Sequence, residues 1–404
     1  MRVSPFIRTS GPSSLGYWLI VLSVTLSYTV NSACAPLIAY TTAHDLGSTT
    51  STSGIIVSSA IITSLICMIL TGKVTDRTGP HNICFFAEIT GILALVGPAI
   101  SCSIPILFAN RILYGAANAV ITVASTIWVA YNIPSSQKGR AFAYYGISVW
   151  IGLALGPIIS ETTAQSISTQ YAWALLALMQ TVSCLLLLPV QGTVRKNNHI
   201  EKTDHINGGL STSVRLLRRC ALPCCIALIG WGVEGAITTF LIQHLTQYGV
   251  PDTGLLSSSS LFGVLAVSVI TCRILVGDMP DRHGSVITTA ICMSALGWGC
   301  ILLAFSHSLF LGTLSMVAIG FSYSPLYPSL TLLTTQLASK SSQSMALGIF
   351  SASTSAGYYC GAFTAGILIE NLSSTVTFLL LGCLPFLCLP VLFLKKSRKE
   401  SHAE

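Results

Sequence analysis

Charged residues are scarce in this sequence. Asp, Glu, Lys and Arg make up only 8% of the chain, whereas soluble domains contain about 25%. Hydrophobic residues account for 52% of the 404 positions. A chain with so little charge cannot present a water-soluble surface, so the composition excludes a soluble protein and indicates one that lives in a lipid bilayer.

Recognisable catalytic and metal-binding patterns are also missing. The fourteen Cys residues lie mostly inside apolar stretches, contain no CxxC pair and have no His at zinc-site spacing, so we interpret them as small packing residues. The sequence has no GxSxG element, no phosphate-binding loop and no paired carboxylates. We therefore predict a protein that is not an enzyme, with no catalytic residues, no metal and no cofactor.

What the sequence does contain is a series of long apolar stretches. Twelve of them are long enough to cross a bilayer as helices of about 20 residues. They cover residues 17–40, 53–71, 83–101, 104–132, 141–162, 169–190, 220–246, 254–276, 286–305, 308–333, 344–369 and 374–394. A polar segment divides them six and six, which predicts an all-α membrane protein with two six-helix bundles. The predicted parts are residues 1–190 for the N-terminal bundle, 191–219 for a cytoplasmic linker, 220–394 for the C-terminal bundle and 395–404 for a cytoplasmic tail.

The basic residues are unevenly distributed between the two ends of these stretches. If the spans alternate in direction, every Lys and Arg outside them falls on one side, and the loops on the other side have none. Because cytoplasmic loops collect Lys and Arg, both termini and the linker are predicted to be cytoplasmic, with the protein in the plasma (inner) membrane. The net charge of +7 then reflects topology and contact with anionic lipid headgroups, as at Arg215 to Arg219, and we predict no nucleic acid partner.

A short polar turn occurs twice in the chain, 205 residues apart. Each copy has the pattern Gly-x-x-x-Asp-Arg-x-Gly, in which the glycines permit a tight turn, the Asp can accept hydrogen bonds from a helix N-terminus and the Arg can reach carbonyls or phosphate. The repeat period is too long for a solenoid and fits two homologous halves. The matching residues are Gly72, Asp76, Arg77 and Gly79 in the first copy and Gly277, Asp281, Arg282 and Gly284 in the second.

The arrangement of spans and turns resembles the major facilitator superfamily over nearly the whole chain. In that family the first turn ends in two basic residues, which Pro80 and His81 replace here. Arg111 and Gly115 are similar to the family's R-x-x-x-G motif in the fourth span. The resemblance implies two pseudo-symmetric six-helix bundles that open a central site alternately to the two sides of the membrane, with the turn motifs as an inner gate.

The fifth span contains two glycines followed by a proline. Gly152, Gly156 and Pro157 are similar to the centre of the motif typical of the superfamily's proton-driven exporters, although Ala143 and Ser160 depart from its flanks. Independently of the family, glycines four residues apart form a small-xxx-small face on which helix backbones approach closely, and a proline can bend a span. We therefore predict that these three residues act in helix packing.

A few ionisable residues fall inside the predicted spans. Glu234 lies roughly 22 Å along a helix from Arg219, and Arg111 lies roughly 10 Å into the fourth span. An ionisable side chain at membrane depth is costly unless it faces water, a partner or a substrate. Glu88 and Arg273 lie nearer the inner ends of their spans, where we expect structural contacts: Arg273 can reach the membrane surface, and Glu88 can pair with a basic residue of an inner loop.

The fourth and tenth spans each carry a row of polar residues on one helical face. The resemblance implies that spans 1, 4, 7 and 10 line the central cavity. Glu234 is predicted to carry or gate the proton, and Arg111 to hold an anionic group of the substrate or an opposing carboxylate. The predicted substrate-binding residues are Tyr28, Asn31, Arg111, Asn118, Glu234, Tyr323 and Tyr327.

The resulting hypothesis is a secondary active transporter, a monomer that exports a small organic solute in exchange for protons and contacts membrane lipid. Two alternatives stay open. An importer would use the same fold with proton symport, and a membrane receptor would bind its ligand and signal without moving it. The lack of any sizeable soluble domain in the sequence disfavours the receptor.

Overall fold

The structure, a computed structural model, describes residues 14–134, 137–190, 210–251, 256–276, 279–338 and 343–400. The regular structure in these ranges consists of fourteen α-helices. They are α1 (Leu15–His44), α2 (Thr50–Ser58), α3 (Ala60–Thr78), α4 (Pro80–Ile100), α5 (Ile104–Asn132), α6 (Lys138–Ser166), α7 (Thr169–Leu187), α8 (Leu210–Thr246), α9 (Leu261–Val276), α10 (Met279–His283), α11 (Ser285–Ala304), α12 (Leu309–Leu337), α13 (Gln343–Asn371) and α14 (Ser374–Glu400).

These helices account for the twelve predicted spans. Within the described residues, ten helical stretches are long and apolar enough to cross a membrane, and α2 and α3, which meet at Ser59, together make one of them. The other two spans are α9, a shorter apolar helix, and α13, whose 29 residues extend about 44 Å. The prediction of an all-α membrane protein with twelve membrane-crossing segments is therefore confirmed for the part of the chain that the structure describes.

Two helices extend beyond their predicted boundaries. α8 begins at Leu210, so the last part of the predicted linker is helical, while residues 191–209 lie outside the described residues. The helix starts this early because Leu216 is buried and packs in a small apolar cluster with Ala346 of α13. Likewise, α14 continues to Glu400, into the predicted tail.

The chain divides into two compact units. In the first, a buried apolar cluster joins α1 to α5 and α6, with Tyr17, Trp128 and Tyr145 as its large rings. In the second, α11 packs against both α12 and α14. The first unit consists of Met1–Arg195, Thr238–Gln243 and Pro251–Gly263, and the second of Lys196–Ile237, His244–Val250 and Val264–Glu404.

Two glycines of α6 bring this helix into close contact with α1 in the first unit. A Cβ atom at Gly152 would lie 2.7 Å from Thr25 O, and one at Gly156 would lie 2.3 Å from Thr29 O. Side chains do not approach backbone atoms so closely, so the observed helix crossing requires glycine at both positions. Pro157 follows inside α6, and the helix continues beyond it.

The second unit contains the same kind of helix contact. At the 205-residue offset of the repeat, Gly152 and Gly156 correspond to Gly357 and Gly361 of α13. A Cβ atom at Gly361 would lie 1.9 Å from Gly232 O of α8. Each unit is therefore built around a glycine-lined crossing between its first and fifth membrane-crossing helices.

We expect Gly156→Ala to destabilise the protein. The added methyl group would overlap the backbone of α1, and overpacking of this kind costs about 1–3 kcal/mol. Thermal unfolding of the purified protein in detergent measures the effect. Gly348→Ala is the matched control, because Gly348 also lies in a helix but a Cβ atom there meets nothing within 4 Å. Equal unfolding temperatures for the two variants would contradict the prediction.

Candidate functional site

Arg111 of α5 is a buried cation with unsatisfied hydrogen-bond donors. The side chain is 2% exposed, and neither Nε nor Nη1 makes a hydrogen bond within the described residues. Its guanidinium lies beside the thiol of Cys34 on α1, which is also buried. A buried guanidinium costs free energy unless an anion or water satisfies its donors. The planar donor fork of Arg111 therefore suits a carboxylate or phosphate group of a ligand.

Three further predicted binding residues lie in the same unit as Arg111. The Tyr28 hydroxyl is 3.2 Å from Thr122 Oγ1, so a hydrogen bond links α1 to the polar face of α5. Asn118 lies between Arg111 and Thr122 along α5, and its buried Oδ1 has no hydrogen-bond partner among the residues that the structure describes. Asn31 is half-buried on α1, three residues after Tyr28. This part of the first unit thus has both an unsatisfied donor and an unsatisfied acceptor.

Glu234 of α8 lies in the second unit near aromatic side chains. The residue is half-buried, and its carboxylate makes no hydrogen bond or ion pair in the described part of the chain. Tyr323 of α12 lies near this carboxylate, but its hydroxyl donates to Gly230 O (2.7 Å). Glu234 is therefore a carboxylate with no side-chain partner among the residues that the structure describes.

Trp231, three residues before Glu234, is at the centre of the aromatic group. Its ring centroid is 6.2 Å from that of Tyr323, 5.9 Å from Tyr327 and 6.3 Å from Phe350. Because residues three apart share a helix face, Trp231 and Glu234 lie on the same side of α8. Tyr327 is 45% exposed and has surface left for a ligand, whereas the Tyr323 hydroxyl is already bonded to the backbone.

Trp231 and Phe350 are residues of this aromatic group that the sequence analysis missed. For Trp231 a signal existed, because its spacing from Glu234 places both on one helical face. Phe350 gave no such signal, because it lies on α13, outside the spans that the family resemblance implies for the cavity. Only packing of α13 against α8 and α12 brings its ring to Trp231 and Tyr327.

The first turn motif is more helical than its sequence predicts. α3 runs to Thr78, so Gly72, Asp76 and Arg77 belong to the end of this helix rather than to a turn. The chain reverses at Gly79 alone, whose φ is 84°. L-amino acids rarely adopt a positive φ, which explains the glycine at this position.

The second copy of the motif has a similar backbone. Asp281 and Arg282 lie in the short helix α10, and Gly284, with φ of 80°, precedes α11. Gly277, the first residue of this copy, lies outside the described residues. The glycine that ends each motif therefore has the same left-handed conformation in both halves of the repeat.

Glu88 of α4 has hydrogen-bond donors in place of the basic partner that we expected from the sequence. The residue is fully buried and accepts hydrogen bonds from Ser27 of α1 and from Gln180 and Ser183 of α7. These uncharged donors lie 61, 92 and 95 residues away in the sequence. Local sequence patterns could not show them, because helix packing alone brings them to Glu88.

We expect Arg111→Met to retain or increase stability. Removing a charge from a buried ion pair costs about 3–5 kcal/mol, whereas removing an unsatisfied buried charge relieves its desolvation cost. Thermal unfolding of the purified protein measures the difference. Arg219→Met, which removes a charge from an exposed position of α8, is the control. If Arg111→Met lost much stability and Arg219→Met did not, the Arg111 guanidinium would have an internal anionic partner, and the prediction would be wrong.

Comparison with known proteins finds similar transporters. The chain is 21% identical over 365 residues to the staphylopine export protein of Staphylococcus aureus, with 87% of this chain and 89% of that protein covered. It is 33% identical over 112 residues, 28% of each chain, to the multidrug resistance protein MdtG of Proteus mirabilis. Its fold is similar to the crystal structure of the nucleoside transporter NupG, with a TM-score of 0.77, 15% identity and coverage of 94% of this chain and 98% of that one.

The sequence profile of the Major Facilitator Superfamily matches residues 20–341 and 281–404. The two matches together cover nearly the whole chain and include both turn motifs. The resemblance drawn from the spans and the repeated motif is therefore confirmed, and so is the prediction of a transporter rather than an enzyme. The chain belongs to the Major Facilitator Superfamily.

Proposed function

We propose that this chain is a proton-coupled exporter of a small organic solute that works by alternating access. Membership of a superfamily of transporters supports solute transport as its general activity. Export is supported by the names of two relatives, an export protein and a multidrug resistance protein. In this proposal, protons moving down their gradient drive the solute outwards.

The unpaired carboxylate of Glu234 is the observation that carries the proposal. An ionised carboxylate at membrane depth is costly when no cation, donor or water stabilises it. Glu234 has no such protein partner among the described residues, so binding a proton is the way in which it loses its charge. A group that takes up a proton when water is excluded and releases it when water returns can couple proton flow to solute movement.

Arg111 and the aromatic group indicate the kind of solute. The unsatisfied donors of Arg111 bind an anionic group, and the exposed ring of Tyr327 beside Trp231 contacts an apolar part. Asn118 offers its free Oδ1 as an acceptor for a hydroxyl or amine. The first unit thus favours a solute with an anionic group and a hydrogen-bond donor, and the second unit favours one with an apolar part; amphiphilic and zwitterionic organic molecules carry groups of these kinds.

The proposal includes a membrane orientation. Both termini and the segment between the two halves face the cytoplasm, because every Lys and Arg outside the spans falls on that side of the chain. The protein acts as a monomer in the plasma (inner) membrane. Anionic lipid headgroups then lie next to its basic loops.

We expect Glu234→Gln to abolish proton-driven transport. Glutamine keeps the shape and polarity of the side chain but cannot exchange a proton. The probe is the solute that cells with the protein release and cells without it retain, identified by comparing their metabolites. In inside-out vesicles with an acidic interior, the unmodified protein should accumulate this solute, and the variant should accumulate no more than vesicles without the protein.

Solute exchange without a proton gradient is the companion measurement to this test. Glu234→Gln should still exchange labelled for unlabelled solute, because exchange needs no net proton movement. Glu370→Gln, which changes an exposed carboxylate at the end of α13, is the control and should transport normally. Accumulation that is unchanged in Glu234→Gln would refute its coupling function. For the unmodified protein, uptake of the solute by whole cells would favour the importer, and a complete lack of solute exchange would favour the receptor.

We expect Asp76→Asn to slow transport without reducing the amount of protein in the membrane. A carboxylate at the end of α3 can accept charge-assisted hydrogen bonds from a neighbouring helix N-terminus, and an amide accepts them more weakly. Asp45→Asn, at the exposed end of α1, is the control. Initial transport rates divided by protein abundance measure the effect. A normal rate for Asp76→Asn would rule out an inner gate at this motif.

A further inference from the structure

A closed polar cluster surrounds Glu88 in the core of the first unit. Ser27 Oγ donates to Glu88 Oε1 (2.9 Å), Ser183 Oγ lies 3.0 Å from the same oxygen, and Gln180 Nε2 donates to Oε2. The Tyr114 hydroxyl lies 3.1 Å from Gln180 Oε1 and donates to it. The cluster therefore joins α1, α4, α5 and α7, and its centre is a carboxyl group with no exposure.

No basic side chain faces this carboxyl group in the part of the chain that the structure describes. α1 contributes hydroxyls, α5 contributes the Tyr114 phenol, and α7 contributes an amide, a hydroxyl and the Cys184 thiol. α4 itself adds the thiol of Cys84. These neighbours give Glu88 hydrogen-bond donors but no compensating positive charge, so the cost of burying its negative charge is only partly offset.

The second unit shows that the fold does not require this cluster. At the 205-residue offset, the counterparts of Glu88, Tyr114 and Ser183 are Met293, Ile319 and Cys388. All three are buried. Replacing a buried polar network by apolar residues is often neutral or stabilising, so a network kept in only one of two homologous halves points to a use other than stability.

The amide of Gln180 can satisfy Glu88 in either protonation state. In the observed arrangement the amide NH₂ donates to the carboxylate, and the Tyr114 hydroxyl donates to the amide oxygen. If the amide turns by half a rotation, its oxygen accepts a proton-bearing Oε2–H of Glu88 and its NH₂ donates to Tyr114 Oη. Tyr114 can then donate to Ser27 O, which lies 3.3 Å away. Both arrangements leave no polar atom of this chain of bonds unsatisfied.

Space around the amide is compatible with this rotation. Gly91, one turn after Glu88 on α4, faces Gln180, and a Cβ atom there would lie 3.3 Å from Gln180 Nε2. A side chain at this position would press on the amide. Glycine at this position therefore leaves beside the amide the space that a side chain would take.

We infer that Glu88 is a second proton-binding site. When Glu88 takes up a proton, the Gln180 amide rotates, and the hydrogen bonds between Glu88 and Gln180 and between Gln180 and Tyr114 reverse their direction. The Tyr114 hydroxyl then donates to Ser27 O. In the uptake step an O–H bond of a hydronium ion from the solvent breaks, an O–H bond forms at Glu88 Oε2, and a water molecule is left; no other reactant is needed. Because Glu88 is completely buried, exchange with water requires movement of the surrounding helices. Ser27 directly precedes Tyr28, so the last hydrogen bond that changes lies beside a predicted binding residue of α1.

This inference goes beyond the proposed function, because it concerns a different carboxyl group and needs no solute. Its test is infrared difference spectroscopy on the purified, lipid-reconstituted full chain, with pH stepped from about 8 to about 5. The unmodified protein should show a rising carboxylic acid band together with a shifted glutamine side-chain band. Glu234→Gln should keep both signals. In the Glu234→Gln background, where Glu234 no longer contributes a carboxylic acid band, Glu88→Gln should lose both signals, and Gln180→Leu should lose only the glutamine band.

Gly91→Ala is the variant that tests the rotation itself. It leaves every hydrogen-bonding group in place but crowds the amide, so the carboxylic acid band should persist while the glutamine shift is reduced. If Glu88→Gln does not fold, the double variant Glu88→Met with Gln180→Leu replaces it. Methionine is the residue at the equivalent position of the second unit, Met293.

The inference is wrong if Glu234→Gln shows no carboxylic acid band, or if the band of this variant is unchanged when Glu88 is replaced as well. Either result would leave the proposed function intact, because solute accumulation depends on Glu234. Conversely, loss of proton-driven accumulation in every preparation, with the Glu88 signals present, would overturn the proposed function and not the inference. The two proposals are therefore tested separately.

Discussion

In a lipid bilayer, an ionisable side chain must be paired, hydrated or neutralised by a proton, because the surrounding hydrocarbon does not stabilise charge. Glu88, Arg111 and Glu234 fall short of this requirement in three different ways. Among the described residues, Glu88 is surrounded by uncharged donors, Arg111 has two buried nitrogens without acceptors, and the Glu234 carboxylate has no hydrogen-bond or ion-pair partner. Each of these environments is incomplete as a structural ion pair, and that incompleteness is the physical basis on which we propose proton or solute binding at these residues.

The two halves of the chain share their packing but not their polar chemistry. The crossing of α1 and α6 and that of α8 and α13 both depend on glycines at equivalent positions, because only glycine lets the backbones approach so closely. By contrast, the repeat offset pairs Glu234 with Thr29 and Arg111 with Met316. The close helix crossings therefore occur in both halves of the chain, whereas each of these ionisable groups occurs in only one half.

The aromatic group and the Glu88 cluster show two uses of burial. Around Trp231, large rings pack together on the helix face that also carries the carboxylate of Glu234. Around Glu88, the Gln180 amide can donate to Glu88 or, after rotation, accept from it. The same side chains can therefore satisfy both the ionised and the protonated form of Glu88. In the first case a proton would be exchanged next to solute-binding residues, and in the second within a helix core that is connected to α1 through Tyr114 and Ser27.

The bilayer environment of this protein, its twelve membrane-crossing helices, its twofold repeat and its superfamily could all be predicted from the amino-acid sequence. These follow from hydropathy, from the spacing of Gly, Asp and Arg in the repeated motif and from the scarcity of charge, all of which are readable along the chain. The sequence also identified Glu234 and Arg111, since a lone charge in an apolar stretch is visible without a structure.

The groups that contact these residues could not be predicted and became visible in the packing of the helices. This packing brought Phe350 to Trp231 and gave Glu88 donors from α1 and α7 in place of the expected basic residue, and α3 extends through most of the predicted turn up to Gly79. The physical reason is that a hydrogen-bond or ring partner is chosen by which helix faces pack together. In this chain those partners lie tens of residues apart, beyond the reach of any local pattern.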